Sequence, residues 1–439
     1  MLSDRYSRGF VWIWLPCAKE PVVAGELTGA GPATSFRYAE SYLNHENAIS
    51  IYSPDLPLRA ETLTAPGDQQ LPGPIRDAGP DAWGRHVIRS GFSANCERPP
   101  ESGHETVEPD DLTYLMESGS DRIGALDFQR SASCYDPRVA EDAELEIVIE
   151  AAEIVDQGGP LSPALLRSLL YRTAVGGARP KALVELQGSK YVAKFPRNRD
   201  RYPIVRAEFA AMRLASLAGL DVAPVILLSI TGKDVLLVER FDRREVAGGW
   251  ERRSLVSALT ILGLDEMLAR YASYETLADV IRERFTKPEA TLRELFGRLV
   301  FNVLIGNTDD HARNHAAFWD GCTLTLTPAY DICPQPRTGN EASQAMLIAG
   351  DNRLSRVSTC LAAAKGFLLT EAAAISIVER QIQQIALSWA TVAEEAGLSS
   401  TECQQMLGRQ VLNPFAFQDL SRAASRLATL ADDARGTNA

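Results

Sequence analysis

Apolar and polar positions change their spacing several times along this chain, and each change predicts a different element. In the first 90 residues, FVWIWL (10–15) and AISIY (48–52) are short apolar runs bounded by TGAGPAT and APGDQQLPGP. Runs of that length between Gly and Pro punctuation predict strands of a small α/β unit. DAGPDAWGRHVIRS, from Asp77, takes helical spacing after its proline. The polar stretch from Ser90 to Asp111 predicts a linker, and AEDAELEIVIEAAEIVDQG predicts an acidic helix that stops at Gly158 and Gly159.

From Leu161 the period shortens. ALVELQ (182–187) and YVAKFP (191–196) alternate about the turn GSK and predict a hairpin. The amphipathic run RAEFAAMRLASLAGL predicts a helix closed by Gly219, and APVILLSI and DVLLVERF predict a second hairpin about TGKD. Together these give a small antiparallel sheet with one helix on it. Beyond Asp242 the spacing is mostly helical, in SLVSALTILGL, LRELFGRLVFNVLIG and TEAAAISIVERQIQQIALSWA, with a β-like segment CTLTLTPAYD before the last of these. A sheet lobe followed by a helical lobe predicts a ligand cleft between them. No internal repeat is present.

Composition narrows the class. With 45% apolar and 23% charged residues over 439 positions, the chain reads as a soluble globular protein of two or three domains. A net charge of -12 opposes direct binding to nucleic acid, and the basic run RNRDR (197–201) reads as solvated surface. Seven cysteines without a CxxC pair predict free thiols and a cytoplasmic location. The N-terminal apolar run, Phe10 to Pro16, is too short for a signal sequence, and no run is long enough to span a membrane.

The densest chemistry lies in IGNTDDHARNH (305–315). Asp309 and Asn314 have the D-x-x-x-x-N spacing of a kinase catalytic loop, where the acid takes the acceptor hydroxyl's proton and the amide holds Mg2+. His311 stands where such loops usually carry a lysine near the transferred phosphate, although the HRD sequence is absent. Asp331, in YDI, ends the β-like segment as a second metal ligand would, and hard oxygens suit Mg2+. Upstream, Lys194 occupies a predicted strand as a phosphate-pairing lysine, with Glu208 in the next helix as its ion-pair partner. In TAVGGARPK, residues Val175, Gly176, Gly177 and Ala178 form a candidate phosphate loop to which Arg179 and Lys181 add charge. Taken singly these are a turn, a snorkelling lysine and polar loop residues. His311 and His315 have a zinc-like spacing but lack the glutamate of HExxH and a third ligand. The order of loop, strand lysine, helix glutamate, D-x-x-x-x-N and strand-end aspartate is what points to phosphoryl transfer.

GGARPKA, VAKFP, VERFDRR and LIGNTDDHARNH resemble, in order, the motifs of the HipA family of bacterial serine/threonine kinases, the toxins of type II toxin-antitoxin pairs, and RDAGPDAWGRHVI resembles the end of that family's N-terminal region. The resemblance implies an α+β fold with a two-lobed protein-kinase-like core, divided as an N-terminal α/β domain (1–130), a sheet lobe with glycine loop and hinge (131–245) and a helical lobe (246–439). It also implies ATP and Mg2+ as cofactors. Lys194 would hold phosphates, Glu239 to Phe241 would form the hinge beside adenine, Asp309 would be the catalytic acid/base, and Asn314 and Asp331 would bind the metal. A translation component such as an aminoacyl-tRNA synthetase is the implied substrate. A small helix-turn-helix antitoxin, HipB-like, is the implied partner, and DNA is reached only through it. One position departs from the family: Ala174 stands where a self-phosphorylated serine is usual, with Thr173 beside it. Neighbours on an extended segment point to opposite sides, so Thr173 is not expected to substitute and control falls to the partner. A small-molecule kinase shares the D-x-x-x-x-N loop and is the main alternative. A non-catalytic kinase shell is opposed by the intact Lys, Asp, Asn and Asp set.

Overall fold

Strand β1 (Arg8–Ile13) sits second from one edge of a five-stranded sheet, between β2 (Val22–Ala30) and β5 (Leu126–Gln129). Its alternation buries Val11 and Ile13 among Leu27, Phe36 and Phe128, with Leu112, Leu115 and Met116 of the helix Asp111–Glu117 in the same core. Strands β3 (Ala33–Tyr38) and β4 (Leu63–Thr64) extend the sheet beyond β2. This computed structural model describes residues 6–30, 33–67, 69–95, 108–140, 143–200 and 202–437; 96–107 of the predicted linker fall outside them. The chain forms two compact units: residues 1–199, 229–256 and 318–322, and residues 200–228, 257–317 and 323–439.

AISIY does not form a strand. Its backbone is satisfied by side chains instead: the Tyr42 hydroxyl donates to the Ile49 carbonyl at 2.8 Å, and the Ile51 N–H donates to the Tyr38 hydroxyl at 2.9 Å. With those groups paired to tyrosines, no ladder is required of this segment. The two predicted hairpins do form. Strands β6 (Lys181–Leu186) and β7 (Ser189–Lys194) pair antiparallel across the two-residue turn Gln187–Gly188, and β8 (Val225–Ile230) and β9 (Lys233–Glu239) complete a sheet in the order β6-β7-β9-β8.

Just after β9 comes a buried charge cluster. The Asp242 carboxylate accepts hydrogen bonds from Arg240 and Arg243, each at 2.8 Å, and from the Gly124 N–H at 2.7 Å. Both arginines also reach Asp121 at 2.8 Å, and the neighbouring, fully buried Arg122 pairs with Asp127 at 2.8 Å. Burial alone would raise the Asp242 carboxyl, but Arg240 and Arg243 hold it below the ordinary carboxylate range.

In the second unit the helix Pro288–Ile305 is buried on nearly every side from Leu292 onward, the pattern of a central helix. It ends at Gly306, whose φ of +75° is left-handed and whose Cα lies so close to the Gln410 backbone that a Cβ would stand 2.6 Å from that carbonyl oxygen. Two further segments dock on the same helix end: the Gln335 N–H donates to the Gly306 carbonyl at 3.0 Å, and the Leu412 N–H to the Leu304 carbonyl at 2.7 Å. SLVSALTILGL, read as one helix, divides into a strand, Leu255–Ser257, and a short helix, Ala258–Ile261, because the Ser257 hydroxyl caps the Thr260 N–H. Within CTLTLTPAYD only Leu324–Leu326 is strand; Pro328 interrupts the ladder. Among the described residues no helix is long and apolar enough to cross a membrane.

Removing Asp242 would leave two desolvated guanidinium groups short of a counter-charge. Asp242→Ala is expected to lower the free energy of unfolding by about 3–5 kcal/mol, the cost typical of breaking a buried ion pair from one side. Urea denaturation monitored by tryptophan fluorescence measures it.

Candidate active site

Because Gly306 ends the helix abruptly, the chain from Asn307 to His315 leaves it as a tight loop. Asn307 is tied back by its side-chain amide, which donates to the Asn302 side-chain oxygen Oδ1 at 3.0 Å. The two adjacent acids then part company. Asp310 is 2% exposed and turns inward, where it meets His315 Nε2 at 2.9 Å and accepts the Tyr274 hydroxyl. Burial, then the Asp310 charge, push the Tyr274 hydroxyl far up, so it stays a proton donor. Asp309 keeps an exposed side chain. One acid anchors the loop and the other is presented.

Asn314 closes a 3-10 turn, Ala312–Asn314: its N–H donates to the His311 carbonyl at 2.8 Å, and its side-chain amide reaches the Asp309 carbonyl at 3.4 Å. The Tyr330 hydroxyl donates to the Arg313 carbonyl at 2.6 Å and so ties the loop to the segment that carries Asp331. Asp331 has φ +60°, in the left-handed region that aspartate tolerates better than most residues. These contacts bring Asp309, His311, Asn314 and Asp331 together. The Asp309 carboxyl shows it: partial desolvation pushes its pKa up, His311 pulls it down, and the negative charges of Asp331 and Asp310 push it up again.

Carboxylates that repel one another beside a buried carboxamide fit a hard divalent cation. Mg2+ keeps several waters and takes one or two protein oxygens, so Asn314 and Asp331 form an adequate donor set. His315 is committed to Asp310 and Tyr274, with its ring edge-on to the tyrosine at 5.4 Å.

The first unit carries the remaining predicted residues except Glu208. Lys194 ends β7 directly across from Lys181. The Lys181 ammonium donates to the Gly176 carbonyl at 2.6 Å, inside the glycine loop. Gly177, at φ +102°, holds a conformation that side chains rarely adopt, and a Cβ there would stand 2.2 Å from that ammonium and displace it. Its N–H donates to the Asp81 carboxylate at 2.8 Å, its carbonyl accepts the Trp83 N–H at 3.1 Å, and the Trp83 indole donates to the Lys181 carbonyl at 2.8 Å. The start of the helix Ala82–Asn95 is thus bound to the loop. Val175 is buried, Gly176 and Ala178 are exposed, and Arg179 is half-buried. Thr173 has no exposed surface, and its hydroxyl donates to the Leu170 carbonyl at 3.0 Å. In the predicted hinge Glu239 is exposed and Phe241 stacks edge-on against Phe318 at 5.9 Å, whereas Arg240 between them enters the charge cluster. Glu208 lies buried in the helix Ile204–Leu217, which belongs to the second unit.

Residues that position this chemistry were missed in the sequence: Asp81, Trp83, Tyr274 and Asp310. The DD pair in NTDDH was the available signal, because two adjacent acids at a loop cannot both face the same way.

The family model for the HipA-like C-terminal domain matches residues 173–410, and that for the HipA N-terminal domain matches residues 18–129. A Sinorhizobium fredii protein named as a provisional kinase, Y4mE, is 27% identical over 331 residues, 68% of this chain and 71% of its own. The serine/threonine-protein kinase toxin HipA of Shewanella oneidensis is 29% identical over 188 residues, 37% of this chain and 43% of its own. A solved chain from the Shewanella oneidensis complex of HipA, HipB and operator DNA shares the fold, with a TM-score of 0.62 at 18% identity over 94% of both chains.

The raised Asp309 carboxyl fixes the sign of a pH effect. The folded state holds that proton more tightly than the unfolded chain does, so the stability it contributes is full below the ordinary aspartate range and is lost as pH rises through the folded value. Asp309→Asn is therefore expected to be more stable than the parent at neutral pH and to show a shallower loss of stability between acid and neutral pH. Urea titrations at a series of pH values measure both.

Proposed function

The chain belongs to the HipA family, and from that premise we propose that it is an ATP-dependent serine/threonine protein kinase that acts as the toxin of a toxin-antitoxin pair. One observation carries the proposal: a single loop presents Asp309 outward while Asn314 and the left-handed Asp331 stand beside it. In this role Asp309 orients the acceptor hydroxyl and takes its proton, and its raised pKa keeps it closer to the acidity a general base needs. His311 sits beside it where charge accumulates on the transferred group. Lys194 and the loop from Val175 to Lys181 hold the nucleotide's phosphates, and Glu239 and Phe241 flank the base. Asn314 and Asp331 hold Mg2+, which when bound neutralises phosphate charge.

The acceptor is a serine or threonine of a translation component, such as an aminoacyl-tRNA synthetase, and the protein works in the cytoplasm. Control comes from a small HipB-like helix-turn-helix antitoxin. A chain of net charge -12 has no bulk attraction for DNA and reaches it through that partner. Self-phosphorylation beside the glycine loop is not part of this control. Ala174 has no hydroxyl, and the Thr173 hydroxyl is buried and already bonded to Leu170.

Asp309→Asn is expected to lower phosphate transfer to protein by roughly 10²–10⁴-fold, the range of a lost general base, with ATP binding largely kept. Asp331→Ala should lose transfer and Mg2+-dependent ATP affinity together. Radiolabelled ATP with a lysate, and equilibrium ATP binding with and without Mg2+, test both. Transfer to a metabolite and none to protein would select the small-molecule kinase instead. Peptide mass analysis after incubation with Mg-ATP should find no phosphate on Thr173.

A further inference from the structure

Arg337 lies six residues after Asp331. It lines a cavity of about 460 Å³ together with Arg409, Asn340, Asn413, Phe415 and Gln418. Among the described residues no carboxylate lines that cavity, in a chain whose net charge is -12. The nearby acid Asp419 is already paired to Arg356, which also donates to the Gln418 side-chain oxygen Oε1 at 3.1 Å. Asn413 is spent on the wall, since its amide donates to the Arg409 carbonyl at 2.7 Å and its carbonyl accepts the Phe415 N–H at 2.9 Å.

Two nitrogens of Arg337, Nε and Nη2, are shielded from water and have no hydrogen-bond partner. They lie on one edge of the guanidinium and offer two parallel N–H groups, the fork that matches two oxygens of a phosphate or carboxylate. The group rests 5.8 Å from the Phe415 ring centroid, so its plane has an apolar support. Burial draws its pKa below the ordinary arginine range, as expected for a charge held dry without an anion.

We propose that this cavity is an oxyanion subsite for a phosphate monoester, held side-on by Arg337 with Arg409 as the second charge. Two cations and no acid favour a dianion over a single carboxylate. The subsite is also joined to the catalytic loop. Gln335, two residues before Arg337, is held by the Gly306 carbonyl, and Gln410, next to Arg409, packs on the Gly306 backbone. An anion that bridges Arg337 and Arg409 therefore ties together the two segments docked where that loop begins.

The test uses the full chain without nucleotide or Mg2+, so that loss of kinase activity leaves the readout intact. At constant ionic strength, inorganic phosphate, phosphoserine and acetate are titrated by calorimetry and thermal unfolding. Phosphate is expected to bind and raise the unfolding temperature, and acetate to do so at least roughly tenfold more weakly, about the factor carried by one charge-assisted hydrogen bond. Arg337→Gln should abolish the response. Arg337→Lys keeps the charge but loses the fork and should weaken it by about tenfold. Arg409→Gln, at an exposed position, should weaken it by a smaller factor. Phosphoserine binding more tightly than phosphate would assign the ligand to a phosphorylated side chain, and equal binding would assign it to free phosphate; both support the subsite. Equal responses of wild type and Arg337→Gln, equal binding of acetate and phosphate, or an unchanged response in Arg409→Gln would overturn it.

Discussion

The charge cluster around Asp242 is the constraint on which the first unit depends. Desolvating three carboxylates and several guanidinium groups is unfavourable by itself, and it becomes tolerable only while every donor and acceptor is matched. Asp121, Arg122, Asp127, Arg240, Asp242 and Arg243 meet that condition with Gly124 as a backbone partner. A slip of one residue in β9 would break several pairs at once. The cluster therefore fixes where β9 ends relative to residues 121–124, and the register of β7 and β6 follows from β9. In this way the N-terminal sheet sets the position of the strand that carries Lys194.

Adjacent residues of one type do different work here because their surroundings differ. Asp310 turns into the protein, where a tyrosine and a histidine satisfy it. Asp309 turns out, with two negative neighbours and no such pair of donors. The loop can present a repelled carboxylate because its sister is anchored. Asp331 adds a backbone held in a sparsely populated conformation, a local cost borne by the packing around it.

Local structure was legible in the sequence, and contacts between distant segments were not. The hairpins of β6–β9 followed from alternation and short turns, and the D-x-x-x-x-N loop followed from a spacing of five residues. AISIY looked like a strand because its composition is that of one; the hydroxyls that satisfy its backbone belong to Tyr38 and Tyr42, whose roles no periodicity reveals. SLVSALTILGL looked like one helix because Ser257, a cap, sits in the middle of an apolar run. Glu239 to Phe241 was read as a hinge, and the sequence did not show that the partners of Arg240 lie about 120 residues away, where only the folded chain brings them. His315 carried a metal-like spacing and serves instead to hold Asp310.

The bonds that join Gly177 to Asp81 and Trp83 make the glycine loop and the start of the helix Ala82–Asn95 one thermodynamic system. An anion that needs the Gly177 N–H must take it from the Asp81 carboxylate, so its affinity is reduced by whatever that bond contributes. Linkage makes the effect reciprocal. A molecule that clamps the helix start in its present position disfavours the anion by the same factor by which the anion disfavours the clamp, although the two never touch. Competition at a distance then requires no hinge, only one carboxylate that cannot be in two places.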